Sequence, residues 1–313
     1  LLHLRRLLRV ERPDLIHSFT IKSAVYGSLA ARAAHVPGRI NAVAGMGYVF
    51  SSNDLKARIL RPIVRALMRL ALGGPESRLI LQNGDDVALF ESAGVVDPSI
   101  IRLICGSGVD CEQFKTGTSG GKPGDEFRVL LAARMLWDKW IAEFAEAARE
   151  LTGRDQRLKF LLAGDPDPGN PAAVPETRIA EWRKEGIIEW LGHVEDMTRL
   201  YADVDLVVLP SYREGLPKSL IEAAACGLPL VTTDVPGCRE VVTNEKNGLL
   251  VEPRNSMALV GAIARIAGDP ELAARLGRAA RQKAQREFDA GIIIDQTLAV
   301  YDELLDPISE ADH

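Results

Sequence analysis

Short apolar runs alternate with longer helix-compatible segments along the whole chain of 313 residues. The runs are rich in Val, Leu and Ile, do not alternate with polar residues, and end near glycine or a polar turn. This pattern is typical of parallel strands that are buried on both faces of a sheet. It predicts two doubly wound α/β units. The predicted strands are DLIHSF, RINAVA, RLILQN and IIRLI in the first unit, and FRVLLAA, LKFLLAG, DLVVLP and LPLVTT in the second.

One segment rich in Gly, Ser and Thr separates the two units. It is KTGTSGGKPGDE, residues 115–126, the one clear linker in the sequence. We therefore expect an N-terminal domain over residues 1–114, a C-terminal domain over residues 127–288 and a closing helix over residues 289–306. Because ligands of parallel sheets bind at the carboxyl ends of the strands, we expect a ligand cleft bordered by those ends in both domains.

Composition and cysteine spacing narrow the class of protein. The chain is 47% hydrophobic and 26% charged, which is typical of a globular protein. No apolar run approaches the roughly 18 residues that span a bilayer, and the N-terminus lacks the order of a secretion signal, so we expect a cytoplasmic protein. The four cysteines have neither the spacing of a zinc site nor the density of a disulfide framework, which favours buried reduced thiols.

Basic charge is concentrated in the first part of the chain. The total net charge is -5, yet residues 1–115 carry an excess of positive charge. In LKARILRPIVRALMRLAL, arginines recur every three or four residues between apolar ones, at Arg58, Arg61, Arg65 and Arg69. This spacing predicts an amphipathic basic helix that can lie on an anionic membrane surface, or a solvated helix face of an ordinary domain. We expect no nucleic-acid partner.

Two cations follow the first strand of the second unit. Arg134 and Lys139 stand five residues apart in RMLWDKW, directly after FRVLLAA. Two cations at a strand end suit a diphosphate, because they neutralise its charge and can stabilise it as a leaving group. On spacing alone, an ordinary pair of loop residues is an equal alternative.

Two carboxylates follow the strand DLVVLP. Glu214 is expected in the turn, Pro217 at the first helical position, and Glu222 facing outward within the first two helical turns. Carboxylates accept hydrogen bonds from hydroxyls, and the peptide N–H groups at a helix start can bind an anion. The anion-binding candidates are the N–H groups of Gly215, Leu216 and Lys218.

Hydroxyl acceptors on both sides of an anion site match a nucleotide sugar, which carries sugar hydroxyls, a diphosphate and ribose hydroxyls in that order. On this interpretation Glu214 holds the sugar and Glu222 holds the ribose. The alternative is a solvated helix start in which early acidic residues favour the helix dipole.

These motifs resemble glycosyltransferase family four, whose members are retaining enzymes with a GT-B fold of two Rossmann-like domains. SYREGLPKSLIEAAACGLPLVTTDVPGCREVV resembles the E-x7-E segment of that family, and LLAARMLWDKW resembles its donor-binding loop. LICGSGVDCEQF is similar to its interdomain segment, which makes Gly108 a donor-site candidate. RPDLIHSF and NEKNGLLVEP fit as well, so that the resemblance covers nearly the whole chain.

Two further segments resemble one branch of the family. HSFTIKSAVYGSLAARAAHVPGRINAVAGMGYVF and GDPDPGNP are similar to enzymes that extend sugars carried on undecaprenyl diphosphate, often from UDP-N-acetylhexosamine. The resemblance implies metal-independent, retaining transfer from a UDP-sugar to a polyprenyl-linked saccharide at the inner face of the membrane. Arg134 and Lys139 would then stabilise the departing diphosphate, and Glu214 would position the sugar. A lipid acceptor also favours the membrane-surface interpretation of the basic helix.

The sequence departs from the family pattern in three places. Leu1 stands about where the family has already completed its first strands and a glycine-rich loop, so we expect an incomplete first sheet of about four strands with an exposed edge, and uncertain activity. Ala44 stands where many members have histidine. Trp140 stands where glycine is usual after the lysine, and a bulky ring there is expected to narrow the donor loop.

The remaining candidates have competing interpretations. His17 is expected at a strand end, either facing the cleft or serving the fold, and His193 is a candidate for contact with the nucleotide base. Asp165 and Asp167 resemble a metal-binding D-x-D, but the flanking prolines indicate a rigid turn. Two rival functions stay open, a sugar-nucleotide epimerase of the same architecture and a non-catalytic remnant that binds nucleotide or membrane.

Overall fold

Parallel sheets form the centre of both halves of the chain. The computed structural model describes residues 1–43, 55–115 and 126–309. The chain forms two compact units, Leu1–Ser107 with Gly291–His313, and Gly108–Ala290. Ala44 and most of the predicted linker lie outside the described residues.

Helices and strands alternate along the chain, as the apolar pattern predicts. The first three strands of the first unit and each strand of the second are followed by a helix. The elements are α1 (Leu2–Glu11), β1 (Leu15–Phe19), α2 (Ile21–Ala34), β2 (Gly38–Val43), α3 (Leu55–Leu72), β3 (Ser77–Leu81), α4 (Gly84–Ala93), β4 (Ile101–Leu103), β5 (Phe127–Ala132), α5 (Ile141–Arg154), β6 (Leu158–Ala163), α6 (Glu176–Lys184), β7 (Glu189–Gly192), α7 (Met197–Ala202), β8 (Leu206–Leu209), α8 (Lys218–Ala225), β9 (Leu230–Thr233), α9 (Cys238–Val241), β10 (Leu249–Val251), α10 (Ser256–Gly268), α11 (Pro270–Glu287) and α12 (Ala290–Ser309).

The first unit contains a four-stranded parallel sheet in the order β1-β2-β3-β4. Every strand corresponds to one of the four predicted apolar runs. One face of the sheet packs on α12, where Ile40 and Ile80 meet Ile293 and Val300. The other face is covered by α2, α3 and α4. Burial on both faces explains why these strands show no alternation with polar residues.

The second unit contains a six-stranded parallel sheet in the order β10-β9-β8-β5-β6-β7. The order runs outward from β5 in one direction and from β8 in the other, so the chain reverses its winding between these two strands. β5 and β8 pair directly, with Val129 opposite Leu206 and Leu130 opposite Val207. The sheet adds β7 and β10 to the four apolar runs. β7 is four residues long and ends directly before His193, and β10 is three residues long.

The cysteines are mostly buried, and the helices are too short or too polar to cross a membrane within the described ranges. None of the four cysteines, all of which lie in the described ranges, forms a disulfide, and three of them are buried. Burial raises the pKa of the Cys111 thiol to about 11 and that of Cys238 to about 12, which keeps both thiols protonated and poorly nucleophilic. Within the described ranges, no helix is both long and apolar enough to cross a membrane.

An ionic cluster fixes α12 to the first sheet. Glu303 of α12 accepts hydrogen bonds from Arg78 Nε at 2.6 Å and from Arg102 Nε at 2.8 Å. The two arginines belong to β3 and β4, so one carboxylate joins the helix to two neighbouring strands. Hydrogen bonds from both guanidinium groups lower the pKa of Glu303 to about 2.

Replacing this carboxylate is expected to weaken the first unit. Glu303→Gln removes the charge and leaves Arg78 and Arg102 as unneutralised neighbours. We expect the free energy of unfolding at pH 7 to fall by about 1 kcal/mol, a modest figure because the carboxylate is partly exposed and screened. Since the pKa of Glu303 is lowered from 4.5 to about 2, its contribution is present above pH 4.5 and is lost as the pH falls towards 2.

Urea unfolding of both proteins across this pH range checks the prediction. The difference between them should shrink on acidification. Glu181→Gln is a matched control, because Glu181 pairs with Arg178 on an exposed helix face and should contribute little. A difference that stays constant down to pH 2 would contradict the assignment.

Candidate functional site

The loops that follow β5 and β8 lie side by side, because these two strands are paired neighbours. Ligands of open parallel sheets bind where the winding reverses, outside the carboxyl ends of the strands. The β5 loop contains Arg134 and Lys139, and the β8 loop contains Ser211 and Glu214. The two loops are joined directly, since the Tyr212 N–H donates to the carbonyl oxygen of Asp138 at 3.0 Å.

Lys139 and Glu214 form an ion pair across these loops. The Nζ of Lys139 donates to Oε1 of Glu214, and both side chains are largely shielded from solvent. Ser211, which is completely buried, donates its hydroxyl to the same Oε1 at 2.6 Å. No residue in the described ranges donates to Oε2 of Glu214. One oxygen is therefore held by the protein, and the other can accept a hydrogen bond from a ligand.

A tight approach of backbone holds the Glu214 turn in place. The Glu214 N–H donates to the carbonyl oxygen of Pro236 at 3.3 Å. Gly237 follows with a φ of 78°, a conformation that favours glycine. A Cβ at Gly237 would lie 2.5 Å from the carbonyl oxygen of Gly215 and 2.7 Å from that of Glu214. The segment after β9 thus supports the turn only because residue 237 has no side chain.

Arg134 and Lys139 do not form a bare pair of cations. Arg134 is 67% exposed and pairs with Asp167, whose Oδ2 lies 3.0 Å from Nη1 of the guanidinium. Asn170 donates to the same Oδ2 at 3.0 Å. Each of the two predicted cations therefore has its own carboxylate. The pair of Arg134 with Asp167 is partly exposed, and the pair of Lys139 with Glu214 is largely buried.

The expected orientation of Glu222 is wrong. Its side chain is only 12% exposed. The helix α8 begins at Lys218, one residue later than predicted, with Pro217 as its N-cap. Tyr201 donates its hydroxyl to Oε2 of Glu222 at 3.2 Å, and Lys218 lies 3.7 Å from Oε1. Burial raises the pKa of the Glu222 carboxyl, while Lys218 and Tyr201 act in the opposite direction.

Three other candidates lie outside this arrangement of contacts. His193 pairs through Nδ1 with Oδ2 of Asp165 at 3.2 Å, and both side chains are exposed. Gly108 has a φ of 72° and begins the second unit, and no described hydrogen bond links it to the two glutamates. Leu216 is half-buried in the turn before α8. The positions of these residues neither join them to the glutamates nor assign them a ligand.

Comparison with known proteins identifies the family. Residues 112–283 match the profile of the family described as "Glycosyl transferases group 1", and residues 1–82 match that of "Glycosyl transferase 4-like". The first match covers more than half of the chain. The chain belongs to the glycosyl transferases of group 1. The family resemblance seen in its motifs is thus confirmed, and the protein is a glycosyltransferase.

Two relatives act on undecaprenol-linked substrates. An N,N'-diacetylbacillosaminyl-diphospho-undecaprenol alpha-1,3-N-acetylgalactosaminyltransferase of Campylobacter jejuni is 29% identical over 97% of this chain and 80% of its own length. A UDP-Gal:alpha-D-GlcNAc-diphosphoundecaprenol alpha-1,3-galactosyltransferase of Escherichia coli is 27% identical over 87% of this chain and 71% of its own length.

Solved structures confirm the fold. HepE of Anabaena, crystallised in complex with UDP, superposes with a TM-score of 0.81 and 23% identity, over 96% of this chain and 81% of its own. Sucrose-phosphate synthase of Thermosynechococcus elongatus superposes with a TM-score of 0.79 and 25% identity, over 94% and 74% of the two chains. The glycosyltransferase therefore has the GT-B fold that its sequence predicts.

Trp140 of the glycosyltransferase does not project into the loop that the resemblance assigns to the donor. Its ring is completely buried and lies edge-on against Tyr212, with ring centroids 5.1 Å apart. Its backbone has a φ of 57°, which explains why glycine would suit this position. The expected narrowing of the loop by this side chain is thus wrong, because the ring packs inside the second unit.

His17 lies within a strand and not at its end, and the two aspartates have separate partners. His17 lies in the middle of β1, stacks on Phe19 and contacts the hydroxyl of Tyr301 through Nδ1 at 2.7 Å. Burial lowers the pKa of its imidazole, as for a histidine that serves the fold. Asp165 and Asp167 have separate partners, and among the described residues no three His, Cys, Asp or Glu side chains are grouped to hold a metal ion.

Two arginines of the basic helix α3 lie at the end of a neighbouring helix. Arg69 donates through Nε to the carbonyl oxygen of Gly94 at 2.6 Å, where α4 ends, and Arg65 lies against the same glycine. Arg5 and Arg9 of α1 likewise donate to the carbonyl oxygen of Ala33, at the end of α2. Cations at helix C-termini satisfy unpaired carbonyls and favour the helix dipole. The side chains of Arg58 and Arg61 lie outside the described part of the chain.

Three residues that hold the site were missed by the sequence reasoning. Ser211 and Tyr201 orient the two glutamates, and Gly237 admits the supporting segment. Ser211 stands three residues before Glu214 in the quoted motif, so its spacing was a usable signal. Tyr201 and Gly237 carry no such local signal, because their contacts depend on how separate loops meet.

A methyl group at Gly237 is expected to disable the site. Gly237→Ala places a carbon against two carbonyl oxygens and forces an unfavourable φ, so the Glu214 turn must shift. We expect glycosyltransferase activity to fall by at least tenfold, since displacement of a binding group by about 1 Å can cost a hundredfold. Steady-state turnover measures the effect.

Gly261→Ala is the matched control, because a Cβ at Gly261 meets nothing within 4 Å and the residue is helical. This variant should retain full activity and gain a little stability from its higher helix propensity. Equal activity of the two variants would show that the close approach does not support the site.

Proposed function

We propose that this glycosyltransferase moves a sugar, an N-acetylhexosamine, from a UDP-sugar to a saccharide carried on polyprenyl diphosphate, with retention at the anomeric carbon. The observation that carries the proposal is the fixed orientation of Glu214 beside Lys139, where the winding of the sheet reverses. The named substrates of the C. jejuni and E. coli relatives support the acceptor class. The UDP complex of HepE supports a uridine nucleotide as donor.

Each part of the donor has a matching group in this proposal. Oε2 of Glu214 accepts a hydrogen bond from a sugar hydroxyl, and Glu222 accepts from the ribose. Lys139 and Arg134 neutralise the diphosphate, with the start of α8 as a further anion-binding element. His193 contacts the base.

The bonding changes in this proposal are those that the family resemblance implies. The bond between the anomeric carbon and the diphosphate oxygen breaks, and a bond to the acceptor hydroxyl oxygen forms on the same face. The acceptor proton passes to an oxygen of the departing phosphate, so the products are UDP and the extended lipid-linked saccharide. Negative charge on the leaving diphosphate grows during this step. Lys139 therefore binds the transition state more strongly than the ground state, which accelerates transfer.

In this proposal Lys139 and Arg134 serve the charge that develops in the reaction. Lys139 lies in the β5 loop beside Glu214, and Arg134 is exposed in the same loop. Their combined charge can serve the leaving diphosphate without an added ion. We accordingly propose that transfer proceeds without a metal.

An acceptor-dependence assay tests this function. With UDP-N-acetylhexosamine and a polyprenyl-diphosphate-linked saccharide, we expect UDP release only when both are present, retention of the anomeric configuration in the product, and full activity with EDTA. Lys139→Ala should lower kcat by about a hundredfold, the usual effect of removing one charge-stabilising group. Product NMR and UDP quantification provide the measurements.

Lys159→Ala is the control for the lysine variant, because Lys159 is exposed on β6 of the same unit. It should retain full activity. Donor consumption without acceptor, accompanied by sugar inversion at a ring carbon, would favour the epimerase alternative. An inverted product would rule out retention.

An apolar patch on α3 suggests how a lipid-linked acceptor is approached. Ile63, Leu67 and Leu70 are exposed on one face of the helix, at spacings of four and three residues. Pro62 and Ala66 complete this α3 patch. Exposed apolar residues on an amphipathic helix insert at the boundary of a bilayer. We propose that the α3 patch rests on the inner face of the membrane.

Vesicle binding checks the membrane proposal. The double variant Leu67→Ser, Leu70→Ser should reduce binding to vesicles of phosphatidylcholine and phosphatidylglycerol by at least tenfold, because two buried leucine side chains contribute roughly 3 kcal/mol or more. Met257→Ser is the control, since Met257 is an exposed apolar residue of α10, in the second unit. Unchanged flotation of the double variant would exclude the α3 patch as the membrane contact.

A further inference from the structure

Tyr201 is a buried tyrosine that has no role in the transfer step proposed above. It lies on α7, and its side chain is completely buried. Its ring stands edge-on to Phe114, with centroids 6.2 Å apart. The ring cannot swing away without disturbing this packing, so the hydroxyl has a fixed position.

The hydroxyl of Tyr201 faces two acceptors. It lies 3.2 Å from Oε2 of Glu222 and 3.1 Å from the carbonyl oxygen of Ser219, in the first turn of α8. A phenol has one proton, so the two acceptors share a single donor. Burial raises the pKa of the Tyr201 phenol well above its ordinary value, and the nearby carboxylate adds to the shift. The hydroxyl thus remains protonated and serves as a donor.

The second partner of Glu222 fixes its carboxylate less firmly. Lys218 is 65% exposed, and its Nζ lies 3.7 Å from Oε1, beyond ordinary hydrogen-bond distance. A long, exposed lysine side chain retains much of its rotational freedom. Tyr201 is therefore the group that defines the orientation of the carboxylate.

We propose that Tyr201 is a positioning residue of the donor site, whose buried hydroxyl holds Oε2 of Glu222 so that the carboxylate meets the ribose hydroxyls of the nucleotide. The inference rests on the proposed function, because it assigns the ribose to Glu222. Tyr201 itself contacts no ligand. It acts through Glu222, as Ser211 acts through Glu214.

The alternative is that Tyr201 only anchors the first turn of α8 through Ser219. Both roles would weaken UDP binding when the hydroxyl is lost, so UDP alone does not separate them. A nucleotide without the ribose hydroxyls separates the two roles, because it makes no hydrogen bond to Glu222. A loss of affinity that acts through Glu222 must disappear for that nucleotide. A displaced α8 would weaken the binding of both nucleotides equally.

Calorimetry with UDP and with 2′,3′-dideoxy-UDP tests the inference on the full chain. Tyr201→Phe should weaken UDP binding about tenfold, the effect of losing one hydrogen bond to a charged group. The same variant should bind dideoxy-UDP as well as the unmodified protein does. Glu222→Gln should show the same pattern with a larger loss for UDP. Tyr26→Phe, an exposed tyrosine of α2, is the control and should bind both nucleotides normally.

The possible outcomes separate this inference from the proposed function. If the unmodified chain binds UDP and Glu222→Gln weakens it, but Tyr201→Phe does not, the inference fails and the donor assignment stands. An equal loss for both nucleotides in Tyr201→Phe would assign the residue to helix anchoring, which also overturns the inference. If the unmodified chain binds no UDP, the donor assignment fails first, and the positioning role of Tyr201 falls with it.

Discussion

The pairing of β5 with β8 is the constraint on which the site depends. These strands are separated by more than seventy residues of sequence, yet their pairing brings the two loops that follow them together. Only that adjacency allows Lys139 to reach Glu214 and Tyr212 to bond to Asp138. The register of β5 and β8 therefore determines the charge arrangement of the site. A one-residue slip would exchange the two faces of a strand and separate Lys139 from Glu214.

Both glutamates follow the same physical arrangement. Each carboxylate has one oxygen held by a buried hydroxyl, from Ser211 in one case and Tyr201 in the other, and each has a lysine nearby. A shielded carboxylate without partners would lose much of its hydration energy and tend to become protonated. Buried donors reduce that cost and also select one rotamer. The protein thus keeps the carboxylates shielded and oriented before a ligand arrives.

The sequence predicted the parts of this molecule that depend on local pattern. All eight apolar runs form strands, because burial on both faces leaves a direct trace in composition. The motif also places Glu214 and Lys139 at strand ends. The orientation of Glu222 and the burial of Trp140 could not be predicted, because each depends on a partner from a distant element, Tyr201 in one case and Tyr212 in the other. The contact of Arg69 with the end of α4 could not be predicted for a similar reason, since the spacing of the arginines is visible in the sequence but the neighbouring helix end is not.

The ion pair between Lys139 and Glu214 also constrains how a donor can bind. A diphosphate carries more charge than one carboxylate, so it can compete for the ammonium group of Lys139. As Lys139 turns towards the phosphates, Glu214 loses a partner but keeps Ser211, and its carboxylate becomes a stronger acceptor for a sugar hydroxyl. Recognition of the diphosphate and recognition of the sugar would then reinforce each other. Under the proposed donor assignment, this coupling would favour an intact nucleotide sugar over either fragment, because only the whole donor supplies both replacements for the broken ion pair.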